Sequence, residues 1–218
     1  MMTSSYKVVS DCQLQNLPEI LENHVGFKDD GYFVDVGAYD GLRWSKTWEF
    51  SELGWKGLLL EPLPEAFGKC VRNHAGHDAL VLPYAVSGEN DNQPLYISDI
   101  FSTLELHHAP VMNRSGAALT PDEFVNVRTV TLDWALEYYA WPTDFDLLCV
   151  NTYGSERLVL NGFNLAYWRP KVMVWQLMEN HPGEELRRIG EGLPEMIQKH
   201  GYSKVYADGT NSIFVVND

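Results

Sequence analysis

Gly31-Tyr32-Phe33-Val34-Asp35-Val36-Gly37-Ala38-Tyr39-Asp40-Gly41 decides how this chain is read. Aromatic and β-branched residues run from Tyr32 to Val36 and stop at a glycine, the pattern of a short buried strand. Gly37 and Gly41 then allow a turn and a close backbone approach, because a side chain at either point obstructs one or the other. A strand that ends in such a loop belongs to a sheet whose ligands sit outside the carboxyl ends of the strands.

Outward from that stretch, strands and helices alternate. Leu58-Leu59-Leu60 reads as a second buried strand, closed by Glu61 and by Pro62, which lacks a backbone donor. Between the two, Trp44, Trp48 and Phe50 fall in a crossover helix that ends near Gly54. A helix over Pro64 to Asn73, a third strand over Ala79 to Val86 and a short extra strand over Pro94 to Ser98 follow. Val127 to Val130 forms another short strand, and a helix begins near Asp133, which is placed to cap it. Phe145 to Val150 and Lys171 to Met178 are further buried strands, separated by a helix over Ser155 to Leu160. Glu184 to His200 carries Leu186, Ile189, Leu193, Met196 and Ile197 on one helical face, and Gly201 stops it. Lys204 to Ala207 and Ser212 to Val216 flank Asp208-Gly209-Thr210-Asn211 as a closing antiparallel hairpin.

Upstream, Ser10 or Asp11 caps a helix with Leu14, Leu17, Ile20 and Leu21 on one face, making residues 1–30 a helical flank. The pattern predicts one α/β domain over residues 1–218, its sheet mostly parallel with one antiparallel edge. Residues 99–124 have no periodicity, and a segment of that length inside a compact domain reads as a lid or acceptor loop.

Composition narrows the function. At 218 residues and 45% hydrophobic content, the chain buries one sizeable core. A formal charge of −14 opposes approach to the phosphates of nucleic acid or of anionic lipid, so neither is expected as a partner. Cys12, Cys70 and Cys149 are odd in number and widely spaced, so neither a disulfide framework nor a metal site is expected. With no basic, apolar leader and no stretch long enough to cross a bilayer, the expectation is a cytoplasmic protein.

The chemistry starts at the strand ends. Glu61 follows Gly41 by twenty residues at the next strand tip, where a carboxylate can accept both ribose hydroxyls of a nucleoside. A nicotinamide oxidoreductase, one rival reading, needs Gly-x-Gly-x-x-Gly, which is absent. Asp35 and Asp40 would repel a pyrophosphate. They suit a ligand carrying an ammonium and a sulfonium, the charge pattern of S-adenosylmethionine.

Here the chain resembles the FkbM family of S-adenosylmethionine-dependent methyltransferases. Phe33-Val34-Asp35-Val36-Gly37-Ala38 is similar to the family's first motif. Gly54-Trp55-Lys56-Gly57-Leu58-Leu59-Leu60-Glu61-Pro62, with Pro64, Glu65 and Phe67, resembles its second-strand signature. Ala85-Val86-Ser87-Gly88 is similar to the segment that borders the adenine, and Val130-Thr131-Leu132-Asp133 to its threonine-leucine-aspartate motif. The resemblance implies a class I, Rossmann-like three-layer sandwich with a seven-stranded sheet. With the loop reading, it puts Asp35, Gly37, Ala38, Tyr39, Asp40, Gly41, Glu61, Pro62, Ala85, Val86 and Asn151 around the cofactor. It also implies oxygen methylation of a small-molecule hydroxyl, on a sugar or natural product.

A fifth block departs from the family. Its members usually carry Asp-Val-Glu-Gly-Ala-Glu at the end of the fourth core strand, whereas this chain has Asn151-Thr152-Tyr153-Gly154-Ser155-Glu156. An amide neither accepts a proton near neutral pH nor holds a hard metal ion as a carboxylate does. Methyl transfer is an in-line displacement in which positioning supplies much of the acceleration, so activity survives without that carboxylate. A hydroxyl acceptor must still lose a proton, and Glu156, Tyr153, His107 and His108 are the candidates to take it. Each also has a structural reading: the histidines as a solvated loop pair, Glu156 as a helix-start charge. The rival from another class is a nucleoside-binding module that has lost its chemistry, motivated by Asn151 and Tyr153. His181-Pro182 reads as a turn, and Trp44 is the tryptophan close enough to the glycine loop to reach a ligand.

Overall fold

The computed structural model describes residues 14–105 and 123–217. His107 and His108, and the expected caps Ser10 and Asp11, lie outside the described residues.

In chain order the elements are α1 (Leu17–Val25), β1 (Tyr32–Val36), α2 (Trp48–Glu52), β2 (Lys56–Leu60), α3 (Pro64–Asn73), β3 (Ala79–Leu82), β4 (Ala85–Val86), β5 (Asp91–Tyr96), β6 (Phe124–Val130), α4 (Leu132–Tyr138), β7 (Leu147–Val150), α5 (Glu156–Asn161), β8 (Val172–Trp175), α6 (Glu184–Arg187), α7 (Leu193–Lys199), β9 (Tyr202–Ala207) and β10 (Ser212–Val216).

Seven of the strands form one sheet in the order β3-β2-β1-β7-β8-β10-β9. The pairs among β3, β2, β1, β7 and β8 are parallel, whereas β10 runs antiparallel to both neighbours. This is the mostly parallel α/β sheet with its last strand reversed that the sequence predicts, although the reversed strand is not the edge: β10 lies between β8 and β9.

The central strands are apolar on both faces because both are covered. On one face Val34, Leu58, Leu148 and Met173 pack with Leu136 of α4, Val159 of α5 and Ile197 of α7. On the other, Phe33, Leu59, Leu147 and Val174 meet Leu17 and Leu21 of α1, Phe50 of α2 and Cys70 of α3. The alternation of Phe33 and Val34, or Leu58 and Leu59, is the two-residue period of a strand feeding two cores.

Four local expectations are corrected. Ala79 to Val86 is not one strand: it breaks at Pro83-Tyr84, and β4 joins β6 and β5 in a separate three-stranded sheet. The first crossover helix shrinks to Trp48–Glu52, because Trp44 takes a left-handed φ of 58° in the loop before it. Glu184 to His200 splits into α6 and α7. Gly192 has a φ of 77°, and at Gly190 a Cβ would stand 2.2 Å from the Leu177 carbonyl oxygen, so a tight contact with β8's extension ends the first helix. Finally, Thr131 rather than Asp133 caps α4, its hydroxyl accepting from Trp134 N–H at 3.1 Å. Asp133 Oδ1 instead accepts from Asn164 N–H at 2.8 Å. No helix among the described residues is long and apolar enough to cross a membrane.

Candidate functional site

A cleft of about 950 Å³, its open mouth included, lies over the carboxyl ends of β1, β2 and β7.

The β1 loop is tied down at almost every donor. Gly37 and Ala38 N–H both donate to Leu60 O, at 2.9 and 3.2 Å, which fastens the turn to β2. Tyr39 N–H donates to Glu61 Oε2 at 2.8 Å, and Leu63 N–H to Glu61 Oε1 at 2.8 Å, so one carboxylate holds two loops. Gly41 N–H returns to Ala38 O at 2.9 Å. Asp40 Oδ1 accepts from Leu42 N–H and Arg43 N–H, at 3.0 and 2.8 Å. A phosphate-binding loop works by leaving such donors free, and this one spends them internally.

The glycines are required for reasons other than an open approach to a ligand. Gly37 has a φ of 79°, and a Cβ there would sit 2.0 Å from the Asn151 carbonyl oxygen. It permits the tips of β1 and β7 to touch. Gly41, at a φ of 71°, would drive a Cβ to within 2.6 Å of His74 Nε2 and 2.7 Å of Cys70 Sγ. Gly41 and Asp40 therefore shape the loop from behind and are not among the lining residues, whereas Asp35, Gly37, Ala38, Tyr39, Glu61 and Pro62 are.

Two carboxylates define the electrostatics. Asp35 and Glu61 are each 6% exposed, and neither joins an ion pair among the described residues. Burial pushes the Glu61 carboxyl up to about 7 against the pull of the Leu63 and Tyr39 N–H groups, and the nearby Asp35 charge adds to the rise. Burial also raises Asp35, opposed by the Thr47 hydroxyl, which donates to its Oδ2 at 2.7 Å, and by the Lys46 ammonium. Two buried negative groups without a paired cation are costly unless a ligand brings positive charge.

Apolar walls come from Ala85 and Val86 of β4, with Tyr84, Leu95, Pro62 and Leu60. The roof is Asp99 to Leu104, the described start of the long loop. Asp99 Oδ1 accepts from the Tyr39 hydroxyl at 2.6 Å, which together with burial raises that phenol. Thr103 Oγ1 and Ser155 Oγ lie 3.0 Å apart, and Leu104 N–H donates to Ser155 Oγ at 3.1 Å, so roof and floor meet at Ser155.

At the β7 tip, Asn151 Oδ1 is buried without a hydrogen-bond partner. Tyr153 lines the cleft with a left-handed φ of 47°, its ring edge-on to Phe101 at 4.9 Å. Burial raises its phenol, and the neighbouring Gln176 and Asn151 amides draw it partly back, although the Gln176 amide atoms complete no hydrogen bond. Glu156 is fully buried outside the lining. Its carboxylate accepts from Thr152 and Gly154 N–H, at 2.9 and 2.8 Å, and so braces the loop that presents Tyr153.

Of the residues expected at the site from sequence, the cleft thus collects Asp35, Gly37, Ala38, Tyr39, Glu61, Pro62, Ala85, Val86, Asn151 and Tyr153. Trp44 also reaches it, with the Arg43 guanidinium stacked 3.9 Å from its ring. Lys46, Thr103 and Ser155 line it too and carried no sequence signal, since each is a single polar residue brought in by a long loop or a helix start. No group of three His, Cys, Asp or Glu side chains able to hold a metal ion occurs among the described residues.

Comparison with known proteins follows the same lines. Residues 35–204 match the model of the methyltransferase FkbM domain. Comparison with curated proteins gives no match. Among solved structures, precorrin-6y C5,15-methyltransferase from Geobacter metallireducens superposes with a TM-score of 0.51 at 12% identity, over 98% of this chain and 95% of that one. A Klebsiella pneumoniae protein assigned as an O-methyltransferase gives 0.50 at 14% identity, over 98% and 83%. At such identities the likeness is one of fold: a Rossmann-like class I sandwich. The family match spans most of the sequence, and the chain belongs to the FkbM family of S-adenosylmethionine-dependent methyltransferases.

Proposed function

We propose that the cleft binds S-adenosylmethionine and that the chain methylates a hydroxyl of a small polar molecule. The observation that carries the reading is the pair of buried, unpaired carboxylates, Asp35 and Glu61, at neighbouring strand tips. They fit a cationic nucleoside. Glu61 would hold the ribose hydroxyls through the lone pairs its two backbone partners leave open. Ala85, Val86, Pro62 and Leu95 offer an apolar slot for the base, and Asn151 Oδ1 an unmet acceptor for a ligand donor. When bound, the cofactor supplies an electrophilic methyl carbon on sulfur, so the chain's own task is to align an acceptor oxygen with it and exclude water.

Tyr153, Thr152, Ser102, Thr103 and Ser155 are hydroxyl-bearing side chains of the lining, and we assign their side of the cleft to the acceptor. With its phenol raised, Tyr153 stays protonated at neutral pH and serves as a hydrogen-bond partner that orients the acceptor. Glu156 has both oxygens on backbone N–H groups. Deprotonation by a buried base is therefore not built into the described site, and alignment is the main catalytic device. The amide at Asn151 and the phenol at Tyr153, where the family carries carboxylates, favour a second reading, a binding module without turnover. The charge of −14 favours a small acceptor over nucleic acid.

Calorimetry with S-adenosylmethionine, then S-adenosylhomocysteine release against hydroxylated sugars and natural products with an RNA oligonucleotide as a parallel arm, tests the proposal. Binding with turnover on a hydroxyl compound is the expected result. Binding without turnover on any acceptor points to the module, turnover on RNA alone corrects the acceptor class, and tighter binding of reduced nicotinamide dinucleotide overturns the cofactor.

A further inference from the structure

Lys46 is unusual for a lysine. It is 5% exposed, and it is the one Lys or Arg that is buried among the described residues. Lysine is rarely so buried unless its ammonium meets a partner or reaches an open cleft. No hydrogen bond or ion pair within 4.0 Å engages its Nζ among the described residues. Its side chain lines the cleft, on the same wall as Asp35.

The surrounding loop explains why it stays there. Ser45 Oγ accepts from Thr47 N–H at 3.1 Å and Trp48 N–H at 3.0 Å, a tight turn at the start of α2. Thr47, the next residue, is anchored by its hydroxyl to Asp35 Oδ2. Lys46 is held between two fixed neighbours and cannot swing its backbone out to solvent. The other basic residue of the lining, Arg43, is exposed and lies stacked on Trp44 at the mouth.

Charge bookkeeping inside the cleft gives this lysine a purpose. The proposed donor carries two positive groups, the sulfonium and the α-ammonium, and one negative group, the α-carboxylate. Asp35 and Glu61 answer the positive groups. A carboxylate entering beside two buried carboxylates would be repelled unless a cation met it. Resting on the cofactor reading above, we infer that the Lys46 ammonium receives the α-carboxylate of the donor's methionine end, Asp35 facing the α-ammonium beside it. Lys46 thereby makes the cleft select a complete amino-acid end over a truncated one.

The test compares S-adenosylmethionine with its decarboxylated analogue, which keeps the nucleoside, sulfonium and amine. Affinities are measured by calorimetry on the full chain, as wild type, Lys46→Met and Lys46→Arg. Wild type should prefer the complete donor by about tenfold or more, the worth of a charge-assisted hydrogen bond in a buried site. Lys46→Met should erase that preference by weakening the complete donor, with the decarboxylated form changed little, and Lys46→Arg should keep most of it. A Lys46→Met protein that retains the wild-type ratio overturns the assignment, as does a wild type that binds both ligands equally. If the methionine variant does not fold, the wild-type ratio and the arginine variant still decide. A wild type that binds neither ligand overturns the cofactor reading beneath the inference, a result distinct from a lost preference. Weaker acceptor binding in Lys46→Met with the donor ratio intact would place the lysine against the acceptor instead, and would also overturn it.

Discussion

The two ends of the cleft are built on opposite plans. At the β1 and β2 tips, most polar groups are already engaged: Glu61 holds two backbone N–H groups, Asp35 accepts from Thr47, and Gly37 and Ala38 N–H donate to Leu60 O of β2. At the β7 tip, Asn151 Oδ1 and Thr152 Oγ1 are buried without partners in the lining, and at the β8 tip, outside the lining, so are both amide atoms of Gln176 and Asn211 Oδ1. Left-handed backbone occurs at both ends, at Tyr39 and Trp44 on one side and at Tyr153 on the other, so strain does not separate them. A site whose groups are satisfied before binding is rigid and selects by charge, whereas one with unmet polar groups gains most when a ligand completes it. The contrast fits a fixed donor half and an adaptable acceptor half.

The strongest way to break that contrast is at the residue where the halves touch. Gly37→Ala forces a Cβ onto the Asn151 carbonyl and a left-handed φ onto alanine, and should cost about 3 kcal/mol of stability in a denaturant titration, from the combined strain and overpacking. Stability within about 0.5 kcal/mol of wild type would mean that the tips separate freely. Next in size, Glu61→Ala should weaken donor binding by about 1–3 kcal/mol through lost charge-assisted hydrogen bonds. Unchanged affinity in calorimetry would remove Glu61 from the ligand.

The pH dependence sharpens the same point. Because the Glu61 carboxyl is raised to about 7, a cationic ligand that prefers the carboxylate binds fully above that pH and weakens as pH falls through it, approaching about tenfold per unit. Glu61→Gln should flatten that slope. For the free protein the sign reverses: a folded-state value above the ordinary 4.5 means stability declines as pH rises from about 4.5 to 7, and thermal melts across that window should show it.

At the acceptor half the effects are smaller. Tyr153→Phe should lower kcat about threefold to tenfold, the value of one neutral hydrogen bond, with donor affinity unchanged. A parallel loss of donor affinity would assign the phenol to the other half. Least of all, Gln176→Met should raise stability by about 1 kcal/mol, because an apolar side chain of similar size replaces a buried amide that forms no hydrogen bond. A large destabilisation would mean that the amide is satisfied after all.

The donor half was the legible half. Tyr32 to Val36 and Leu58 to Glu61 each announce a strand and its end within a few residues, and the family motifs fall on those segments, whereas Ala85-Val86 carries a family motif but was read as the tail of a longer strand. What sequence could not supply was the tertiary reason for each glycine: Gly37 and Gly41 meet atoms 114 and 33 residues away, or nearly so, in contacts that no local pattern encodes. The split of Glu184 to His200 was hidden for a similar reason, since the apolar spacing continues across Gly190 while the backbone is turned by its contact with Leu177. Glu156 looked like a base because its residue type permits it, and its burial against its own loop is a property of the fold alone. Lys46 gave no signal, as one lysine among 16 basic residues reads as solvated until the loop is folded around it.

The place of β10 between β8 and β9 has a consequence for how the molecule is made. β9 is synthesised before β10, yet it pairs with the sheet only through β10, so it must wait beside the emerging chain without a docking edge. On the ribosome the five parallel strands can assemble first, and β8 keeps an open flank until residues 212–216 slide in. That late insertion makes the final hairpin the step at which a stalled or shortened nascent chain is most exposed to mispairing.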